Sequence, residues 1–220
     1  MVQLDFGAVL AEWPMLLRGV AMTSALTAVS ATLGLALGVG GAWARSAGPP
    51  WLKAVVGLYV ELIRNTPFIV QLFFVFFGLP GLGVKLTPEL ASTIAMVVNL
   101  GAYATEIVRA GVEATPRGQV EAAQSLALTP TQVFLRVVLP PSLRRVWPAI
   151  TSQIIIVMLG SAVCGQIATQ ELSYAANVIQ SRNFRAFEAC IVAAGLYLLL
   201  AVALRHVLNR LGPRLLFGGR

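Results

Sequence analysis

Nine side-chain carboxylates, one histidine and two cysteines are the whole carboxylate, imidazole and thiol complement of this 220-residue chain. Asp5 is the only aspartate, and Lys53 and Lys85 are the only lysines. Neither lysine follows a glycine-rich turn of the G-x-x-x-x-G-K-[ST] kind, so the chain has no phosphate loop with which to hold a nucleotide. His206 lies among Arg205, Arg210 and Arg214 and reads as a histidine at a membrane edge or surface rather than a catalytic one. Cys164 and Cys190 sit in apolar surroundings and read as buried free thiols rather than as a metal site or disulfide framework. What remains is a small set of polar groups inside apolar runs, where they are costly and carry function by default. Arg64 leads that set, either facing a path through the membrane or simply pairing with Glu61 three residues earlier. Gln71, Asn99, Ser161 and Gln166 either line such a path or hydrogen-bond between helices. Glu171 is a candidate gate or partner contact, with a solvated helix-end carboxylate as the plain alternative.

The elements that must position these groups are membrane helices. Hydrophobic residues make up 57% and charged residues 11% of the chain, against about 25% charged in ordinary soluble domains. A net charge of +7 and a pI near 10.3 raise the question of nucleic acid, but no basic run supplies the phosphate contacts that binding needs. Asp5 and Glu12 occupy the place of a positive n-region, so the start does not read as a cleavable signal. Five spans are expected, at about 16–44, 51–79, 88–109, 143–168 and 186–210. In the first, Gly34 and Gly38 form a GxxxG, which either lets another helix approach closely or is incidental in a Gly-rich membrane helix. In the second, Pro67 lacks an N–H and should kink the helix, and the run ends at the Pro80-Gly81 turn. Thr87 and Pro88 suit the N-cap and first position of the third. The phenylalanines 73, 74, 76 and 77 read as a lipid-facing or packing stripe. Arg45, Lys53, Arg109, Arg117, Arg136, Arg144, Arg145 and the basic tail fall on one side, and only Arg18, Lys85, Arg182 and Arg185 on the other. The positive-inside rule then places the N-terminus outside and the C-terminus in the cytoplasm.

Between the third and fourth spans the chain spends residues 115–141, far more than a simple connection of about two to eight residues needs. Thr115-Pro116 looks like a capped start for a short helix over Gln119–Leu126. Thr129-Pro130-Thr131-Gln132 has the form of a capping box and opens a second helix, expected to stop at Val138 before Pro140-Pro141. Two stiff helices on the cytoplasmic face suggest a binding surface, or else an amphipathic pair resting on lipid headgroups.

Glu121-Ala122-Ala123, with Leu139-Pro140 closing the same stretch, resembles the coupling loop of the membrane subunits of ATP-binding-cassette importers. Arg64-Asn65-Thr66-Pro67 followed by Gln71 is similar to the Arg-Gly-Thr-Pro-x-x-x-Gln segment of their polar amino acid branch. Ala102–Gly111 and Phe184–Glu188 resemble that branch too, so the likeness covers most of residues 16–212. Two departures stand out. Ala127 occupies a position that is Gly in the family pattern, and Leu159-Gly160-Ser161-Ala162 replaces a frequent Lys-Asp-Thr-Ser.

The resemblance implies a single permease domain over residues 1–220. Its fold would be all-α, with five transmembrane helices and a cytoplasmic coupling-helix loop between helices three and four. It implies that Arg117, Glu121, Ala122, Ala123, Ala127, Leu139 and Pro140 meet the ATPase subunits. Arg64, Thr66, Pro67, Gln71, Asn99, Ser161, Gln166 and Glu171 would line or gate the path. ATP and Mg would be held by those ATPase partners and no cofactor by this chain. A second permease subunit and an extracytoplasmic amino acid-binding protein complete the assembly, in a bacterial inner membrane. The lost Lys and Asp lean slightly towards a heterodimer. An ion-coupled secondary carrier, with Glu61 as its only candidate coupling site, and a non-transporting scaffold are the other classes left open.

Overall fold

A computed structural model of the chain describes residues 4–216, and among these every regular element is helical. The elements run α1 (Gly7–Leu10), α2 (Trp13–Ala47), α3 (Pro50–Arg64), α4 (Phe68–Phe73), α5 (Pro88–Glu113), α6 (Arg117–Ser125), α7 (Pro130–Val133), α8 (Leu139–Gly160), α9 (Leu172–Asn183) and α10 (Ala186–Leu216). A π-turn over Phe74–Gly78 and a 3-10 turn over Leu79–Leu82 extend α4. A second π-turn, Phe134–Val138, joins α7 to α8, and a 3-10 turn over Ser161–Ile167 follows α8. Four helical runs are long and apolar enough to cross a bilayer, and α3 with α4 counted as one bent span makes five.

Several sequence expectations are met locally. The Thr87 hydroxyl accepts from the Leu90 amide at 3.3 Å. At α7 both halves of the capping box form, the Thr129 amide donating to Gln132 Oε1 at 2.9 Å and the Gln132 amide to Thr129 Oγ1 at 3.4 Å. The kink expected at Pro67 is a complete break. Asn65 Nδ2 donates back to the Glu61 carbonyl and Thr66 Oγ1 to the Leu62 carbonyl, each at 2.8 Å. These side chains take the last carbonyls of α3, and Pro67 has no N–H to carry the ladder on.

Other expectations are corrected. The helix beginning at Pro130 does not stop before Pro140-Pro141 but runs on to Ile167. The π-turn just before the prolines widens the helix and shifts the hydrogen-bonding register, so the missing N–H groups break little. Thr115 does not cap α6, whose N-cap is Pro116 without a side-chain bond. The Thr115 hydroxyl lies instead 3.3 Å from that of Ser142. The helix α9 was not anticipated from sequence. Cys164 is buried, as expected, but Cys190 is exposed on the chain. Phe73 packs edge-on against Phe77, while Phe74 and Phe77 remain open to the surroundings.

The chain divides into two compact units, each built from pieces of several helices. The first comprises residues up to Ser30, Phe68–Met96 and Ile155–Leu204. Val9, Leu16, Leu172, Ile179 and Ala189 form its apolar centre. Ser92 and Thr169 share a hydrogen bond at 2.7 Å, and the Leu172 amide donates to Thr23 Oγ1 at 3.2 Å. The second comprises Ala31–Pro67, Val97–Ile154 and residues from Arg205 onward. Here Gly34, Gly38 and Gly41 bring α2 against Leu100, Ala104 and Thr105 of α5. A Cβ on Gly38 would collide with Ala104, so the GxxxG spacing is used within the chain. Ser142 Oγ donates to the Gly111 carbonyl at 3.0 Å, and Trp147 Nε1 to the Leu208 carbonyl at 3.2 Å. Large apolar side chains such as Leu33, Leu62, Leu198 and Leu199 face outward, which a water-facing surface tolerates poorly in such number and a bilayer requires.

Candidate functional site

Two groups of residues are candidates for function, and each lies within one unit. The first is the projection between the third and fourth spans. α6 is short and amphipathic. Ala123 turns inward and packs with Val133 and Val138, supported by Val112, Val120 and Leu128. Arg117, Glu121, Ala122 and Ala127 face outward, as do Leu126 and Leu135, the latter two apolar and more than half exposed. Ala122 therefore offers a low outer surface, whereas Ala123 serves the projection's own core. The end of α6 turns through Ala127, which has φ of 58°. Its amide donates to the Gln124 carbonyl at 2.9 Å, and the Leu128 amide reaches the Ala123 carbonyl at 3.4 Å. That is a left-handed helix stop of the kind glycine usually provides. Leu139 is half-buried and Pro140 exposed at the start of α8.

The second group gathers around Glu106 on α5. Arg109, one turn along, donates to its carboxylate at 2.9 to 3.2 Å. Arg45, at the end of α2, reaches the same carboxylate at 3.2 Å. Arg64, at the end of α3, forms a longer ion pair with it at 3.9 Å and lies over the Tyr103 ring, 5.5 Å from its centroid. Arg109 also pairs with Glu113. The local Glu61–Arg64 pairing considered from sequence is thus replaced by contacts to α5. Around these groups lies a pocket of about 440 Å³, lined also by Glu61 and Asn65.

The other sequence candidates do not collect in that pocket. Thr66 and Pro67 sit at the α3–α4 break, and Gln71 is half-buried on α4. Asn99 is nearly enclosed on α5. Gln166 is exposed, while Ser161 is fully buried and donates to the Met158 carbonyl at 2.6 Å. Glu171 is fully buried rather than solvated. It caps α9, accepting from the Ser173 amide at 2.8 Å and the Tyr174 amide at 2.7 Å, and takes the Tyr197 hydroxyl at 2.5 Å. Burial pushes its carboxyl above the usual range, opposed by these three donors. Tyr197, Glu106 and Arg109 were not singled out as site residues, although Glu106 and Arg109, three apart at the end of an apolar run, carried a readable signal.

Residues 33–216 match the family model described as binding-protein-dependent transport system inner membrane component. The chain belongs to that family of inner membrane components. It is 35% identical over 202 residues to the L-cystine transport system permease protein TcyB of Bacillus subtilis (strain 168), which covers 90% of this chain and 86% of the relative. It is 32% identical over 217 residues to the glutamine transport system permease protein GlnP of Escherichia coli (strain K12), covering 97% and 99%. A crystal structure of an amino acid ABC transporter with histidines superposes with a TM-score of 0.86 at 31% identity, over 97% of this chain and all of that one. These relatives are permease components, and the family name itself couples such components to a binding protein. Among the described residues no three His, Cys, Asp or Glu side chains converge as a metal site.

Proposed function

We propose that this chain is the membrane-spanning permease subunit of an ATP-driven importer of polar amino acids. Its family and its relatives, named for L-cystine and glutamine transport, support the substrate class. The observation that carries the coupling role is the projection over residues 115–141. Two short helices there are locked by a capping box and a valine core, and they present Glu121, Ala122 and two exposed leucines outward. A rigid outward element of this kind suits transmission of force from a partner.

In this reading ATPase subunits hold ATP and Mg, and their closure pushes on Glu121 and its neighbours. A binding protein delivers the amino acid at the outer face. The path then switches sides, a population shift between two helix packings driven by a contact that differs between them. The projection and the C-terminus lie in the cytoplasm and the N-terminus outside, as the charge asymmetry of the loops favours. A second permease subunit completes the path, and the absence of a charged pair at Leu159–Ala162 favours a non-identical one.

ATPase activity of the reconstituted complex tests this. Stimulation by one amino acid with its binding protein is expected in the wild type. Glu121→Ala is expected to reduce that stimulation by about five- to tenfold, within the usual scale of coupling energies, with subunit assembly retained. Transport driven by an ion gradient alone, with no copurifying ATPase, would overturn the importer reading in favour of a secondary carrier.

A further inference from the structure

We propose that the apolar groove between α2 and the base of the cytoplasmic projection binds one acyl chain of an anionic phospholipid, and that the bound chain braces the projection against α2. The bracing role rests on the importer reading above. The lipid site goes beyond it.

The groove lies within one unit and has a volume of about 290 Å³. One wall is Val39, Gly40 and Trp43, towards the end of α2. The other is Thr131, Phe134 and Leu135, on α7 and the π-turn that leads into α8. Gly40 leaves the space. Its neighbours Gly38 and Gly41 are closed off by Ala104 and Thr105 of α5, whereas a Cβ on Gly40 would meet no atom within 4 Å. Leu135 forms part of the wall and is still 52% exposed, so it lacks a cover.

The chemistry of the walls selects the occupant. Among the described residues no polar surface faces the groove. A polar metabolite would give up its hydration there without a hydrogen bond in return. A helix, about 10 Å across or more with its side chains, is too wide for so small a space. A single hydrocarbon chain is both apolar and thin enough. Trp43 stands one turn before the end of α2, and tryptophan gathers at the membrane–water boundary. A chain entering there keeps its headgroup at the surface. Arg136 directly follows Leu135, is exposed and has no ion pair among the described residues. Lys53, near the start of α3, is exposed as well. Cations beside the membrane draw anionic headgroups. The second wall also joins the projection to α8, so movement of the projection relative to α2 opens or closes the groove. An empty groove leaves Phe134 and Leu135 without partner atoms on that side, and packed atoms transmit displacement where a void does not.

The complete transporter is placed in phosphatidylcholine nanodiscs with a small, increasing fraction of a lipid bearing a photoactivatable acyl chain. The probe is phosphatidylglycerol or phosphatidylcholine, and crosslinks are mapped by mass spectrometry. On the wild type, both walls should label saturably, and about fivefold more strongly with phosphatidylglycerol, the scale of one surface cation. Gly40→Leu fills the groove and should lose this labelling, while labelling at the outward-facing Leu198 and Leu199 persists. Arg136→Gln should bring the phosphatidylglycerol probe down to the level of phosphatidylcholine. Equal labelling of the wild type by the two probes overturns the site, as does undiminished labelling in Gly40→Leu. Absence of crosslinks at both walls means that protein covers the groove in the assembly, and overturns it too. Amino acid-stimulated ATPase, measured in the same nanodiscs with binding protein, should rise with phosphatidylglycerol and lose that response in Gly40→Leu. Stimulation indifferent to phosphatidylglycerol overturns the bracing role. Absence of stimulation in every lipid overturns the importer reading, and the crosslinks still decide the lipid site.

Discussion

Ala127 and Glu171 show how much a single residue can hide. At Ala127 the chain turns left-handed with φ of 58°, a conformation that costs an L-residue with a Cβ about 1–2 kcal/mol. The family pattern that the loop resembles has glycine at this position, and the backbone supplies the reason. Ala127→Gly is expected to stabilise the projection by about 1 kcal/mol, partly offset by the greater freedom of glycine when unfolded. Hydrogen exchange of the α6 and α7 amides measures it, and slower opening is the predicted result. Glu171 was legible only as a carboxylate near the end of a span. Its capping bonds run to the nearby Ser173 and Tyr174 amides, but its burial and its bond to Tyr197 on α10 could not be placed from the local sequence. Glu171→Ala removes a helix cap and leaves a tyrosine hydroxyl unpaired, so a loss of about 2–3 kcal/mol is expected. Glu171→Gln should cost clearly less, because it keeps an acceptor and burial already disfavours the charge. Thermal unfolding of the two variants side by side checks the order, and equal losses would contradict it.

At the scale of elements, the breaks matter more than the helices. The α3–α4 break is written into Asn65-Thr66-Pro67, where two side chains finish one helix and proline forbids its continuation. Pro67→Ala restores an N–H and lowers the cost of a continuous helix by up to about 3 kcal/mol. Reduced uptake with normal assembly is the expected outcome, and unaltered uptake would show that the break is not needed for transport. The capping box at Thr129 was read directly from residue types, since both bonds lie within four residues. Thr129→Ala should cost about 1 kcal/mol and appear as faster proteolysis between residues 115 and 141. The π-turn over Phe134–Val138 was not legible in this way. Two prolines in sequence signal a stop, and only the widened turn before them shows how the helix passes through.

At the scale of the whole molecule, the charge asymmetry of the loops makes one strong prediction. A tag at the C-terminus should be accessible only from the cytoplasmic side, and a cysteine at Lys85 only from outside. Labelling of intact cells with an impermeant reagent reads both, and the opposite pattern would reverse the proposed direction of coupling. By itself the sequence determined the membrane class, the approximate spans, the capped loop and the family likeness. All of these depend on composition, apolar run length and contacts within a few residues, which a one-dimensional pattern contains. The tertiary structure decided which charges face one another. Arg64 chose Glu106 and Tyr103 over nearby Glu61, and Gly34, Gly38 and Gly41 found Leu100, Ala104 and Thr105. These partners lie some forty residues or more apart in the chain and are joined only by helix packing. Local spacing carries no information about that packing, because in a bilayer nearly every face of an apolar helix is an acceptable face until another helix is pressed against it.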